Sequence, residues 1–366
     1  MRIGFLVNPI AGMGGAVGLK GTDGDETRRE AEARGAVKIA SGRAIEALRG
    51  IVDVGLTAEF LTCTGEMGKS ELDSVGIDSK VVYRPADKTT SGDTKRAARV
   101  FVKDEVDVIL FSGGDGTARD ILEAVGTSVP IIGIPSGVKM HSAVFAYTPG
   151  DIADLLANFS RTRAITEAEV VDIDEDKFRE GILSTRLYGL ARVPSSADHV
   201  QSGKTEYTSD DADEEAEEIA HYIAEGMTEG TVFILGPGGT TERVARNLGE
   251  KKTLLGVDVV INGKIVSQDA SENDLLRILK PGVDARIVVS PIGAQGVFFG
   301  RGNQQISPKV IRTVGKDNVI VVATPTKLKG TPVLRTDTGD AELDEMLKGT
   351  LKVVTGYRRR KVVQVK

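Results

Sequence analysis

Residues 106–117, Val-Asp-Val-Ile-Leu-Phe-Ser-Gly-Gly-Asp-Gly-Thr, constrain this chain more than any other stretch. An apolar run breaks into Gly113, Gly114, Asp115, Gly116 and Thr117, and a helical pattern follows at once through Ala118, Ile121, Leu122 and Val125. A buried strand that passes through glycines into a helix leaves several backbone N–H groups uncovered, at the positive end of the helix dipole. Such a point accepts phosphate. Asp115 is the odd member, because a carboxylate repels phosphate unless it holds Mg²⁺ or takes a proton from a hydroxyl about to be phosphorylated. A tight turn accounts for one or two glycines. It does not account for three around an aspartate with a threonine at the helix start, and the combination points to a small-molecule kinase.

The surrounding pattern places that loop in an α/β domain. Strands are expected at 2–7, 57–62, 80–83, 106–111 and 131–134, with helices near 25–34, 41–50, 68–74, 93–103 and 117–126. Strands apolar throughout and separated by helix-length segments imply a parallel sheet covered on both faces. Ligands of such sheets sit beyond the carboxyl ends of the strands, where the glycine-rich segments after Val7, Phe111 and Ile134 fall. From about residue 160 the texture changes to short strand-like runs at 168–173, 181–192, 231–235, 256–260, 285–290, 318–322 and 351–365, divided by turn signals such as Asn262-Gly263. Residues 210–225 are acidic but carry Ala216, Ile219, Ala220 and Ile223 at helical spacing, an amphipathic surface helix. The expected division is an α/β domain over 1–155, a β-rich, β-sandwich-like domain over 156–345, and strands in 346–366 that can return to the N-terminal domain.

Other glycine segments are read against plainer alternatives. Asn8–Gly15 follows the first strand; Gly12, Gly14 and Gly18 fit a dinucleotide fingerprint loosely, but a loop follows where the helix should begin. Asn8, Gly12, Gly14 and Gly15 therefore read as a backbone cradle. Gly68-Lys69-Ser70 is not a P-loop, since Cys63 stands where the first glycine is required. Thr89–Asp93 is either an N-cap cluster or a second phosphate contact. Gly137 to Ser142 follows the next parallel strand; Lys139 there can neutralise a transferred phosphoryl group, and His141 is either a packing or a catalytic residue. Gly236, Gly238, Gly239, Thr240 and Thr241 open a helix after an apolar run and suggest a second ligand cradle, hence a bulky substrate.

Charge and composition exclude several classes. A net charge of −6 gives no footprint for nucleic acid, and Arg358–Lys361 reads as a solvated strand edge. No apolar stretch approaches the roughly 20 residues that span a bilayer, and the first residues read as a strand rather than a signal peptide. One cysteine and three scattered histidines leave no disulfide and no metal-ligand spacing, so a cytoplasmic location and no direct protein ligation of metal are expected.

Together these residues resemble the NAD kinase and diacylglycerol kinase superfamily, whose Gly-Gly-Asp-Gly-Thr signature is matched by 113–117. The chain looks like the archaeal and bacterial ATP-NAD kinase branch related to the acetoin-catabolism X proteins, on Asn8–Gly15, Lys20–Gly24, Gly137–Ser142, Gly236–Thr241 and Asp337–Asp340. The resemblance implies an NAD kinase-like fold of an α/β and a β-rich domain with the nucleotide site between them. It implies γ-phosphoryl transfer from ATP or polyphosphate to the adenosine ribose 2′-hydroxyl of NAD, with Asp115 as general base and Mg²⁺ carried by the phosphates. Small nucleotides are the implied partners, and a homodimer or homotetramer the implied assembly. The Asn-Glu pair that such kinases use at the adenine end has no clear match between residues 150 and 200. Another alcohol acceptor (a lipid, sugar or acetoin-related metabolite) or a non-catalytic NAD(H) sensor are the alternatives.

Overall fold

The computed structural model describes residues 1–15, 17, 29, 31–85, 89–137, 140–173, 185–195, 210–292 and 296–366. Among these, contacts divide the chain into two compact units. The first takes in 1–13 and the described residues of 37–195; the second takes in 14, 15, 17, 29, 31–36 and the described residues of 210–366. The first unit thus runs well past residue 155, because the hairpin expected to open the second domain packs on the first.

Five strands of the first unit run parallel: β1 (Arg2–Val7), β2 (Glu59–Cys63), β3 (Ser79–Tyr83), β4 (Val108–Gly113) and β5 (Ile131–Pro135), in the order β3-β2-β1-β4-β5. Helices α1 (Ala40–Asp53), α2 (Lys69–Ser74), α3 (Ser91–Lys103), α4 (Asp115–Val125) and α5 (Asp151–Thr162) accompany them. The two-residue period of a strand sorts the side chains. Ile3, Phe5, Val7, Val108 and Leu110 join Ala44, Leu48 and Ile51 of α1 and Leu155 and Phe159 of α5 in one core. Leu6, Ile109 and Phe111 join Ala97 and Phe101 of α3 and Ala118 and Ile121 of α4 in another. Both faces are therefore covered, as continuous apolar strands require.

From β1 the chain builds outward to β2 and β3, then crosses to the other side for β4 and β5. The topological switch lies between β1 and β4, where ligands of open α/β sheets bind. Beyond β5, residues 143–146 add a short strip to the sheet edge: Gly133 N–H donates to Val144 O (2.9 Å), and Ala146 N–H donates to Gly133 O (3.0 Å). Ala143 N–H donates to Glu169 O (2.8 Å), joining the strip to β6 (Ile165–Ile173). β6 pairs antiparallel with β7 (Thr185–Pro194). The strip is pinned by Phe145, whose ring meets Phe111 edge-on at 5.4 Å.

The second unit is rich in sheet, as expected, and holds α6 (Asp210–Glu225), β8 (Val232–Leu235), α7 (Gly239–Asn247), β9 (Asp258–Ile261), β10 (Lys264–Ser267), α8 (Glu272–Ile278), β11 (Ala285–Val289), β12 (Val297–Phe299), α9 (Pro308–Val314), β13 (Val319–Val321), α10 (Pro325–Gly330), β14 (Val333–Thr336), α11 (Ala341–Leu347), β15 (Gly349–Gly356) and β16 (Arg359–Val365). One sheet has the order β10-β9-β8-β11-β13, with β8, β11 and β13 parallel; a second has the order β12-β14-β16-β15. Ala216, Ile219, Ala220 and Ile223 of α6 are buried, as their spacing predicts. The last two strands do not return to the N-terminal sheet. β15 and β16 pair with each other, and β16 takes the open edge of β14 through Val333 and Gln364.

Candidate active site

Three loops leave neighbouring strand ends at the switch point. The register sets Val7 beside Ser112 and Ser112 beside Ile134. Beyond it, Asn8 N–H donates to Ser112 O (2.9 Å), and Ser136 N–H donates to Gly113 O (3.1 Å). The buried Ser112 hydroxyl donates to Ala40 O (2.9 Å) and lies 2.7 Å from the Ser136 hydroxyl, fastening the loops to the start of α1. Asn8 Nδ2 donates to Thr117 Oγ1 at 3.0 Å, joining the first loop to the first turn of α4.

The glycines serve close approach. A Cβ on Gly113 would stand 2.6 Å from Thr117 Cβ, and one on Gly114 would stand 3.1 Å from Gly137 Cα. Gly12 has φ +73°, and a Cβ there would overlap Ser136 O at 1.9 Å. Gly116 differs, since a Cβ there meets nothing nearer than an Arg119 nitrogen at 3.8 Å. The first intrahelical bond runs from Ala118 N–H to Gly114 O, so the amides of 115–117 precede the helical ladder beside that open space. A phosphate fits this arrangement.

Asp115 is the first residue of α4 and only 4% exposed. Its Oδ2 accepts from His141 N–H (2.7 Å) and its Oδ1 from Ser142 N–H (2.9 Å). Burial pushes its carboxyl up to about 7; the Ser142 and His141 donors oppose the rise, and the charge of Asp172 adds to it. A carboxylate poised near neutrality suits a general base. Asp172 on β6 is paired with Arg119 Nη1 at 2.7 Å, and Arg119 lies 5.4 Å from the Tyr188 ring centre on β7. These three were not singled out from the sequence. Arg119 follows Asp115 by four residues and so shares its helix face, a signal the sequence did contain.

The other expected site residues divide. Asn8, Gly12, Gly113, Gly114, Gly116, Thr117, Gly137, His141 and Ser142 gather around Asp115, whereas Lys139 lies outside the described residues, as do Lys20–Gly24. Gly137 N–H is directed to Met140 Sδ (3.3 Å). The Ser142 hydroxyl is occupied by the backbone of β6 rather than turned outward: it donates to Val171 O (2.9 Å) and accepts from Val171 N–H (3.1 Å). Gly14 and Gly15 cluster with the second unit, where a Cβ on Gly15 would overlap the Gln304 amide oxygen at 1.4 Å. The Thr89–Asp93 cluster resolves as a cap, with Asp93 Oδ2 accepting from Thr90 N–H (2.9 Å) and Oγ1 (2.8 Å). Burial opposes ionisation of Asp93, but hydrogen bonds from Arg96, Tyr83 and Thr90 prevail and hold its carboxyl at about 2.

In the second unit β8 enters α7 through Gly236–Gly238. A Cβ on Gly236 would stand 2.9 Å from Val289 Cγ1, and Gly238 has φ +120°. Thr241 is fully buried, and its hydroxyl is satisfied by Gly236 O (2.6 Å) and Gly238 O (2.8 Å). Thr240 is half-buried, and Gly239 starts the helix. Nearby in sequence to neither cradle, Arg301 and Asp337 form a buried pair (3.3 Å), which the sequence reading did not single out for Arg301. Among the described residues no group of three or more His, Cys, Asp or Glu side chains could hold a metal ion, and no helix is long and apolar enough to cross a membrane.

Comparison with curated proteins gives no match. Family models do match: residues 3–164 fit the ATP-NAD kinase N-terminal domain, and residues 242–365 fit the ATP-NAD kinase C-terminal domain. The first covers the whole parallel sheet with the Asp115 loop, and the second begins inside α7 and runs through the last strand. A kinase signature at the switch point of the sheet and two family domains in sequence lead to one conclusion: the chain belongs to the ATP-NAD kinase family.

Proposed function

We propose that this protein is an NAD kinase, moving the terminal phosphoryl group of ATP or polyphosphate to the 2′-hydroxyl of the adenosine ribose of NAD. Asp115 takes the hydroxyl proton as the ribose oxygen bonds to phosphorus. The bond from phosphorus to the bridging oxygen breaks, and ADP or shortened polyphosphate leaves. Mg²⁺ enters with the donor and offsets phosphate charge. The amides of 113–117 hold phosphate oxygens, Lys139 steadies the transferred group, and Asn8, Gly12, Gly14, Gly15 and Gly236–Thr241 contact the nucleotides. The observation that carries this reading is the Asp115 carboxylate, held by the His141 and Ser142 amides at the head of α4. A fixed base beside helix-start amides that precede the hydrogen-bonded ladder is what phosphorylation of an alcohol needs.

The test is purified protein with Mg²⁺ and either ATP or polyphosphate, offered NAD, NADH and a set of polyols, with NADP read by a coupled dehydrogenase. Turnover of a polyol in place of NAD would move the acceptor to the second reading, another small alcohol. That reading is favoured by the lack of an Asn-Glu pair between 150 and 200. A cytoplasmic location and a homodimer or homotetramer belong to the same proposal, and light scattering of the purified protein tests the assembly.

A further inference from the structure

Accepting Asp115 as the base, we infer that Ser142 is its positioning residue: the Ser142 hydroxyl clips residues 141–143 to β6 so that two consecutive amides face the Asp115 carboxylate. The geometry is specific. Two adjacent N–H groups seldom point the same way, because successive peptides of an extended chain alternate. Here His141 N–H and Ser142 N–H converge on one carboxylate at 2.7 and 2.9 Å. The bend that allows this is held on its far side by the Ser142 hydroxyl, which satisfies both N–H and C=O of Val171, and by Ala143 N–H on Glu169 O. The hydroxyl faces the Val171 backbone and lies within hydrogen-bonding reach of the Asp115 carboxyl, so Ser142 acts through Asp115.

The clip decides how strongly the ionised carboxylate is held, since hydrogen bonds to the charged form favour it. Other charges face Asp115 or its surroundings: Arg119 and Asp120 on its own helix, His141 beside it, Asp172 on β6 paired with Arg119, and Lys95 on α3, 3.5 Å from Asp120. All of these remain in Ser142→Ala, so a displaced titration there reports what the Ser142 hydroxyl does, through the clip on β6 and through its own reach to the Asp115 carboxyl.

The experiment titrates the Asp115 carboxyl by isotope-edited infrared spectroscopy, its band assigned by loss in Asp115→Asn. Ser142→Ala should raise the midpoint by about one pH unit, a roughly tenfold smaller ionised fraction on the acid side, and Ser142→Thr, which keeps the hydroxyl, should return it towards wild type. An unchanged midpoint in Ser142→Ala overturns the inference. Should Ser142→Ala not fold, wild-type protein decides by NMR: the amide protons of His141 and Ser142 should titrate together with the carboxyl, and independent behaviour overturns the inference. None of these readouts needs turnover, so a protein that fails to phosphorylate NAD would refute the proposed acceptor and leave the clip to stand or fall separately.

Discussion

At the end of β4 the chain enters α4 through Gly113 and Gly114, and at the end of β8 it enters α7 through Gly236, Pro237 and Gly238. Both turns are closed by glycines that a side chain would block, and both place a threonine in the first helical turn. They differ in what the helix start presents. α4 offers Asp115, a buried carboxylate with both oxygens on amides, whereas α7 offers Gly239 and Thr240 above a Thr241 hydroxyl absorbed by its own turn. The same backbone device thus carries a proton acceptor in one unit and only a fixed shape in the other. On the proposed function, chemistry would belong to the first turn and recognition to the second.

The largest test of that contrast is Asp115→Asn. It should lower kcat on NAD by about 10²–10⁴-fold, the usual worth of a general base, with KM little changed; near-wild-type turnover would remove the distinction between the turns. Thr241→Val should behave in the opposite sense. Two turn carbonyls lose their donor, at a cost of about 1–3 kcal/mol in stability, seen in a denaturant titration, and NAD KM should rise while kcat holds. Proportional loss of kcat would place chemistry at the second turn as well.

A pH comparison sharpens the first turn further. The native Asp115 carboxyl titrates at about 7, above its ordinary value, so the native state holds a proton that the unfolded chain has already lost. That contribution is full below the ordinary carboxylate range and is lost as pH rises through about 7. Wild type should therefore lose thermal stability relative to Asp115→Asn by several degrees between pH 4 and 8; a gap constant with pH would mean the carboxyl is not held protonated by burial. The smallest expected effect on the fold is Gly116→Ala, within about 0.5 kcal/mol because the added methyl meets open space. Activity lost from so well-folded a variant would mark that space as occupied by substrate, whereas Gly113→Ala should destabilise by about 1–3 kcal/mol through its clash with Thr117.

Much of this was legible before any coordinates. Apolar runs bounded by glycine located all five parallel strands to within two residues, since a strand covered on both faces must be apolar at every position. Less legible were the short helices α8, α9 and α10, although Ser271, Ser307-Pro308 and Thr324-Pro325 stand at their starts as caps. At six or seven residues they show less than two turns of periodicity, and only packing stabilises them. The site followed the same rule: Asp115 announced itself by its glycines and Ser142 by the glycine segment after β5, while Asp172 carries no local signal because its partner Arg119 is 53 residues away in sequence.

The sequence alone determined what local sterics and periodicity can determine: strands, the long helices, the glycine turn at 113–117 and the presence of an aspartate within it. Tertiary structure decided which groups face that aspartate, that the Ser142 hydroxyl bonds the β6 backbone, and that β15 and β16 stay with β14. Those outcomes depend on which strand edges and backbone amides meet across 26 residues or more of chain, and pairings at such separation are chosen by the packed fold rather than by neighbouring residues.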